Sequence, residues 1–110
     1  MDEQAVGPDL VLSVDAERTS AVVAVRGELD AYSAPRLEDE ISKLLREPFD
    51  AVVLDLSGTG FLDSSGLRAI LSAHRRLTES DRQLLLRAPS EPVTRLLEIT
   101  GLTDHFTVEK

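Results

Sequence analysis

Apolar side chains recur along the chain in two rhythms. Leu10–Val14 and Ala21–Arg26 are dense in Val, Leu and Ala, as strands are, and the polar stretch Asp15–Ser20 between them predicts an antiparallel hairpin with a loop of moderate length. Gly27 is expected to end the second strand. From Ser33 the spacing changes to three and four: Leu37, Ile41, Leu44 and Leu45 share one face of a helix, with Ser33 as N-cap and Pro35 in the first turn. That helix stops near Pro48. Ala51–Leu56 is apolar except at Asp55, the signature of a strand covered on both faces.

A glycine-punctuated loop, Ser57–Gly60, then leads into a second amphipathic helix. Leu67, Ile70, Leu71, His74 and Leu77 form its apolar face, and Arg68, Arg75 and Arg76 lie on the other. Gln83–Arg87 reads as a strand. Ser90–Thr100 reads as a helix with Ser90 as N-cap, Pro92 in its first turn and Gly101 as C-cap, and His105–Val108 as a closing strand. Helical crossovers between strands imply an α/β fold, a mixed and mostly parallel sheet of about five strands with an antiparallel edge and helices packed on it. Met1–Pro8 carries no periodicity and is expected to be a flexible tail ahead of a single domain over residues 9–110.

Composition narrows the function classes. With 110 residues, 42% hydrophobic and 29% charged, the chain has material for one core. A formal net charge of −8 disfavours nucleic acid and anionic membrane surfaces as direct partners, since both reward clustered Lys and Arg. The chain has no cysteine, which excludes disulfides, thiolate metal sites and cysteine nucleophiles and fits a reducing compartment. No apolar run approaches the ~20 residues of a membrane span, and the acidic start leads into no signal-like apolar region. A cytoplasmic location is the expectation.

The segment Asp55–Leu67, DLSGTGFLDSSGL, concentrates the candidate chemistry: a strand end, a glycine loop and a helix start within a few residues. Asp63 or Ser64 is placed to cap the second helix. A serine hydroxyl at a helix N-terminus, just outside the carboxyl end of a parallel strand, also stands where α/β sheets present functional groups. Other chemistries fit less well. The G-x-S-x-G elbow of serine hydrolases is absent, with Leu62 two residues before Ser64 and Asp63 two before Ser65, and His74 falls on the apolar side of its helix. Gly58-Thr59-Gly60 opens like a dinucleotide fingerprint, but Asp63 stands at the third glycine position. Asp30, Asp55 and Asp63 are the candidates for a divalent cation site, against a local role for each in turns and strand ends. No cofactor or metal is expected.

DLSGTGFLDSSGL closely resembles the signature of the STAS domain as found in bacterial anti-sigma factor antagonists. Two further blocks agree in order and spacing: GELDAYSAPRLEDEI (Gly27–Ile41) and LLLRAPSEPVTRLLEITGLTDHFTV (Leu84–Val108). The resemblance spans about Leu10 to Val108 and implies a STAS-like fold and a non-enzymatic protein. It further implies that the unmodified protein captures an anti-sigma factor with serine kinase activity, freeing the sigma factor, and that a serine phosphatase reverses the phosphorylation. By the same resemblance Ser64 is the phosphoacceptor, Asp63, Ser65 and Gly66 are the surroundings presented to the kinase, and Asp30 is the aspartate beside the switch. For Asp30 a turn or cap before the first helix is the alternative. Gly60 departs from the family pattern, which often carries a larger residue there. Serine at position 64 favours partner switching over stressosome-like scaffolds, which more often use threonine. The alternatives from other classes are a STAS subunit of a lipid-transport complex and a small serine hydrolase using Ser64 and His74. The sequence leaves the oligomeric state open.

Overall fold

A computed structural model describes residues 10–109; the expected tail, Met1–Pro8, lies outside them. The hairpin is tighter than its polar connection suggests. Strand β1 (Leu10–Glu17) and strand β2 (Ser20–Leu29) pair antiparallel throughout, from Leu10 opposite Gly27 to Glu17 opposite Ser20, leaving only Arg18 and Thr19 in the turn. Arg18 takes a left-handed φ of 57°, as a two-residue hairpin demands. Most of β1 beyond Leu10 is exposed, so Asp15, Ala16 and Glu17 extend the strand without the apolar alternation that would announce it.

The first helix, α1 (Ala34–Leu44), crosses over to β3 (Ala51–Asp55), which pairs parallel with β2 from Ser20 opposite Ala51 to Ala24 opposite Asp55. The expected loop after β3 contains a short strand of its own, β4 (Thr59–Leu62), parallel to the far end of β2. Gly27 is therefore an interruption within β2 and not its end: at φ 103° it shifts the register, and the strand resumes with Glu28 opposite Phe61 and Leu29 opposite Leu62. Helix α2 (Ser64–Glu79), strand β5 (Gln83–Arg87), helix α3 (Glu91–Ile99) and strand β6 (Thr107–Glu109) follow. The six-stranded sheet runs β1-β2-β3-β5-β6, with β4 continuing the line of β3 along β2. Among the described residues only β1 is antiparallel to its neighbour.

One face of the sheet meets the helices. Val23, Val25, Val52, Leu54 and Leu86 pack with Leu37 and Ile41 of α1 and Ile70 and Leu77 of α2, all essentially inaccessible to water. Burying each such side chain fully is worth ~1.5–3 kcal/mol, so this layer holds the helix starts in place. Val93 and Leu97 of α3 join the same core with Phe106. Thr100 caps α3, and Gly101 follows at φ 73°, where a side chain would be strained.

Candidate functional site

β2 and β4 end side by side, so the residues that follow their last pair, Asp30 and Asp63, open two helical segments at one carboxyl edge of the sheet. Asp63 is extended (φ −111°, ψ −172°), and its Oδ1 accepts the Ser65 and Gly66 N–H groups at 2.9 and 3.0 Å. These are donors that a helix otherwise leaves unsatisfied in its first turn. The cap of α2 is thus the aspartate. Ser64, the first helical residue, is exposed, and its hydroxyl makes no hydrogen bond among the described residues. Ser65 is half-buried and Gly66 buried. A Cβ on Gly66 would collide with the Leu29 carbonyl oxygen and the Leu62 side chain, so glycine lets the first turn of α2 press onto the end of β2.

Asp30 does for α1 what Asp63 does for α2, one turn earlier than the sequence suggests. Its Oδ1 accepts the Tyr32 and Ser33 N–H groups, each at 3.0 Å, and its carbonyl oxygen accepts the Ala34 N–H at 2.7 Å. Ser33, expected as the N-cap, is already helical (φ −98°, ψ −17°) and caps nothing with its side chain. Its buried hydroxyl instead donates to the Glu28 carbonyl at 2.7 Å and accepts the Asp30 N–H at 3.0 Å, tying the turn to β2. The Asp30 carboxyl sits below its ordinary 3.8, chiefly because the Ser33 N–H donates to it. Asp55 is likewise held low by the Ser57 hydroxyl and N–H, at 2.7 and 3.0 Å. The three aspartates proposed for a cation are each committed to their own turn. Among the described residues no cluster of three or more His, Asp or Glu is placed to hold a metal.

Two polar side chains, one of them expected only as a helix cap, support this edge. Thr59, fully buried in β4, donates its hydroxyl to the Val25 carbonyl at 2.8 Å. Ser90 stands at the N-cap position of α3, but its hydroxyl donates across to the Thr59 carbonyl at 2.5 Å, and its N–H donates to the Leu56 carbonyl. Thr59, inside an expected loop, gave no sign of burial; the unexpected strand β4 encloses it. Two aromatic side chains stay in solvent beside the same edge, Tyr32 at 90% and Phe61 at 46% exposure.

Ser64 and His74 do not meet. Ten residues of one helix separate them, about 15 Å along its axis, so the histidine is out of reach as a base for that hydroxyl. His74 packs instead on His105 (ring centroids 4.9 Å apart) and on the edge of Phe106 (5.5 Å).

The STAS domain family model matches residues 13–110. The anti-sigma-B factor antagonist of Staphylococcus aureus is 33% identical over 88 residues, covering 80% of this chain and 82% of that protein. The crystal structure of an anti-sigma factor antagonist from Mycobacterium paratuberculosis superposes with a TM-score of 0.76 at 31% identity, covering 91% of this chain and 85% of the other. The Bacillus cell fate determinant SpoIIAA in its phosphorylated form shares the fold, with a TM-score of 0.71 at 20% identity and coverage of 91% and 92%.

Proposed function

Because the chain belongs to the STAS domain family, among its anti-sigma factor antagonists, we propose that its unphosphorylated form binds an anti-sigma factor that is also a serine kinase, releasing the sigma factor. A phosphoryl group on Ser64 ends the binding, and a serine phosphatase restores it. The protein acts in the cytoplasm as a binding partner and not as an enzyme. No helix among the described residues is long and apolar enough to cross a membrane.

The observation that carries this reading is the division of labour in the first turn of α2. Asp63 satisfies the free amides, which leaves the exposed Ser64 hydroxyl without a structural duty. A phosphoryl group there adds about −1.5 to −2 charges, and the helix dipole offsets part of the local cost by ~0.3–1 kcal/mol. Folding is therefore preserved. A partner with acidic groups over the same spot meets a like charge at close range, a penalty of several kcal/mol, and ~3 kcal/mol already exceeds a hundredfold in affinity. Asp30 and Ser65 flank the serine as recognition groups for the kinase, and Gly66 acts through the close packing that fixes where the helix begins.

Immobilised Ser64→Ala and Ser64→Asp proteins, incubated side by side with native lysate, test the reading by mass spectrometry of what each retains. An anti-sigma factor kinase held by the alanine form alone is the expected result. Equal capture by both forms, or a Ser64→Asp protein that no longer folds, overturns it.

A further inference from the structure

The phosphoacceptor reading leaves open how the modification is sensed on this particular helix, and the residue one turn along supplies an answer. Arg68 stands four positions after Ser64 on α2, exposed, and takes part in no ion pair among the described residues. Residues four apart on a helix lie about 5–6 Å from one another at their Cβ atoms, and an anion N-terminal to a cation is the favourable order. The neighbours of Arg68 at three and four positions on either side are Ser64, Ser65, Leu71 and Ser72, none of them charged. The nearest carboxylate on the N-terminal side, that of Asp63, is five positions away and occupied by the Ser65 and Gly66 amides. Arg68 is thus a guanidinium whose own helix offers it no anion until Ser64 is phosphorylated.

Resting on the assignment of Ser64 as phosphoacceptor, we propose that Arg68 is the residue that reads the phosphorylation state. In the unmodified protein its guanidinium faces outward, a basic contact for an acidic group on the partner. In the phosphorylated protein it folds back onto the phosphoryl oxygens, the geometry a planar guanidinium matches with paired hydrogen bonds. The local charge of this helical face then swings from +1 to about −0.5 to −1, so modification withdraws the attractive contact as well as adding a repulsive one. That reversal makes the switch steeper than an added phosphate next to a neutral neighbour.

The test places phosphoserine at position 64 during synthesis, so that it depends on no kinase, and follows the phosphorus NMR signal through its second ionisation. Pairing with Arg68 favours the dianion. In Arg68→Gln the midpoint should rise by about 0.3 pH unit, the size expected of one helical ion pair, and Arg68→Lys should recover part of it. The difference should shrink at high salt. Identical midpoints in the parent and Arg68→Gln, or a difference indifferent to salt, overturn the proposal. Because the phosphoserine is installed directly, this outcome is separate from whether a cellular kinase acts on Ser64, which the capture experiment addresses.

Discussion

Replacing Thr59 with valine isolates one hydrogen bond in the seam between β3 and β4. β2 pairs with β3 as far as Ala24 and with β4 from Gly27 onward, so on that side Val25 and Arg26 have no strand beside them. The gap is bridged by the Gly27 N–H donating to the Gly58 carbonyl at 3.0 Å and by the Thr59 hydroxyl donating to the Val25 carbonyl at 2.8 Å. Val25 and Thr59 are both fully buried, so no water replaces a lost donor. Thr59→Val keeps the shape of the side chain and removes the donor, leaving a buried acceptor unsatisfied at a cost of ~1–3 kcal/mol. For a domain of this size that corresponds to a fall in melting temperature of roughly 5–15 °C. In urea titrations the midpoint should drop while the slope stays unchanged, because the surface exposed on unfolding is the same. A Thr59→Val protein with the parent midpoint would refute the view that this hydroxyl stands in for a strand.

The two glycines flanking Phe61–Ser65 should respond in opposite directions. Gly66→Ala forces a methyl group into the Leu29 backbone and should destabilise by at least ~1–3 kcal/mol despite the better helix propensity of alanine. Gly60→Ala, with nothing near its added methyl, should be neutral or stabilise by up to ~1 kcal/mol, and thermal melts of the pair decide both. Acid should also weaken the fold through His74. Burial, and secondarily the charge of His105, lowers its folded pKa below the ordinary 6.5. The unfolded chain then binds the proton more readily, so stability is greatest above pH 6.5, falls as the pH drops through that value, and levels off below the folded pKa. Denaturant titrations between pH 5 and 8 should show this decline, and His74→Gln should flatten it.

How much of this was legible in the sequence depends on where each element draws its stability. β5 coincides residue for residue with the expected Gln83–Arg87, because a short apolar run bounded by polar residues reports its own burial. β4 was not legible. Its four residues follow Gly58 and include Gly60, and the strand exists because β2 extends past Gly27 and offers an unpaired edge, a fact that no local window contains. For α1 the sequence offered Ser33 as N-cap and Asp30 as a turn or cap ahead of it; Ser33 does stand at the N-cap position, but the side-chain bonds to free amides are accepted by Asp30, a division that only the geometry of the turn decides. For α2 the sequence reduced the choice to Asp63 or Ser64, and the structure gives the cap to Asp63. The buried hydrogen bond of Thr59 and the one Ser90 makes to its carbonyl both depended on β4 and were invisible without it.

The capping of α2 by Asp63 has a consequence for how this segment tolerates change. Position 64 is released from the requirements of folding, whereas positions 63 and 66 are held by them, one through two amide bonds and the other through contact with a backbone carbonyl. In a library of variants selected for folding alone, residue 64 would drift among many side chains while its neighbours stayed fixed. The proposed phosphorylation site thus falls at a position that folding leaves free, between an aspartate and a glycine that folding holds in place.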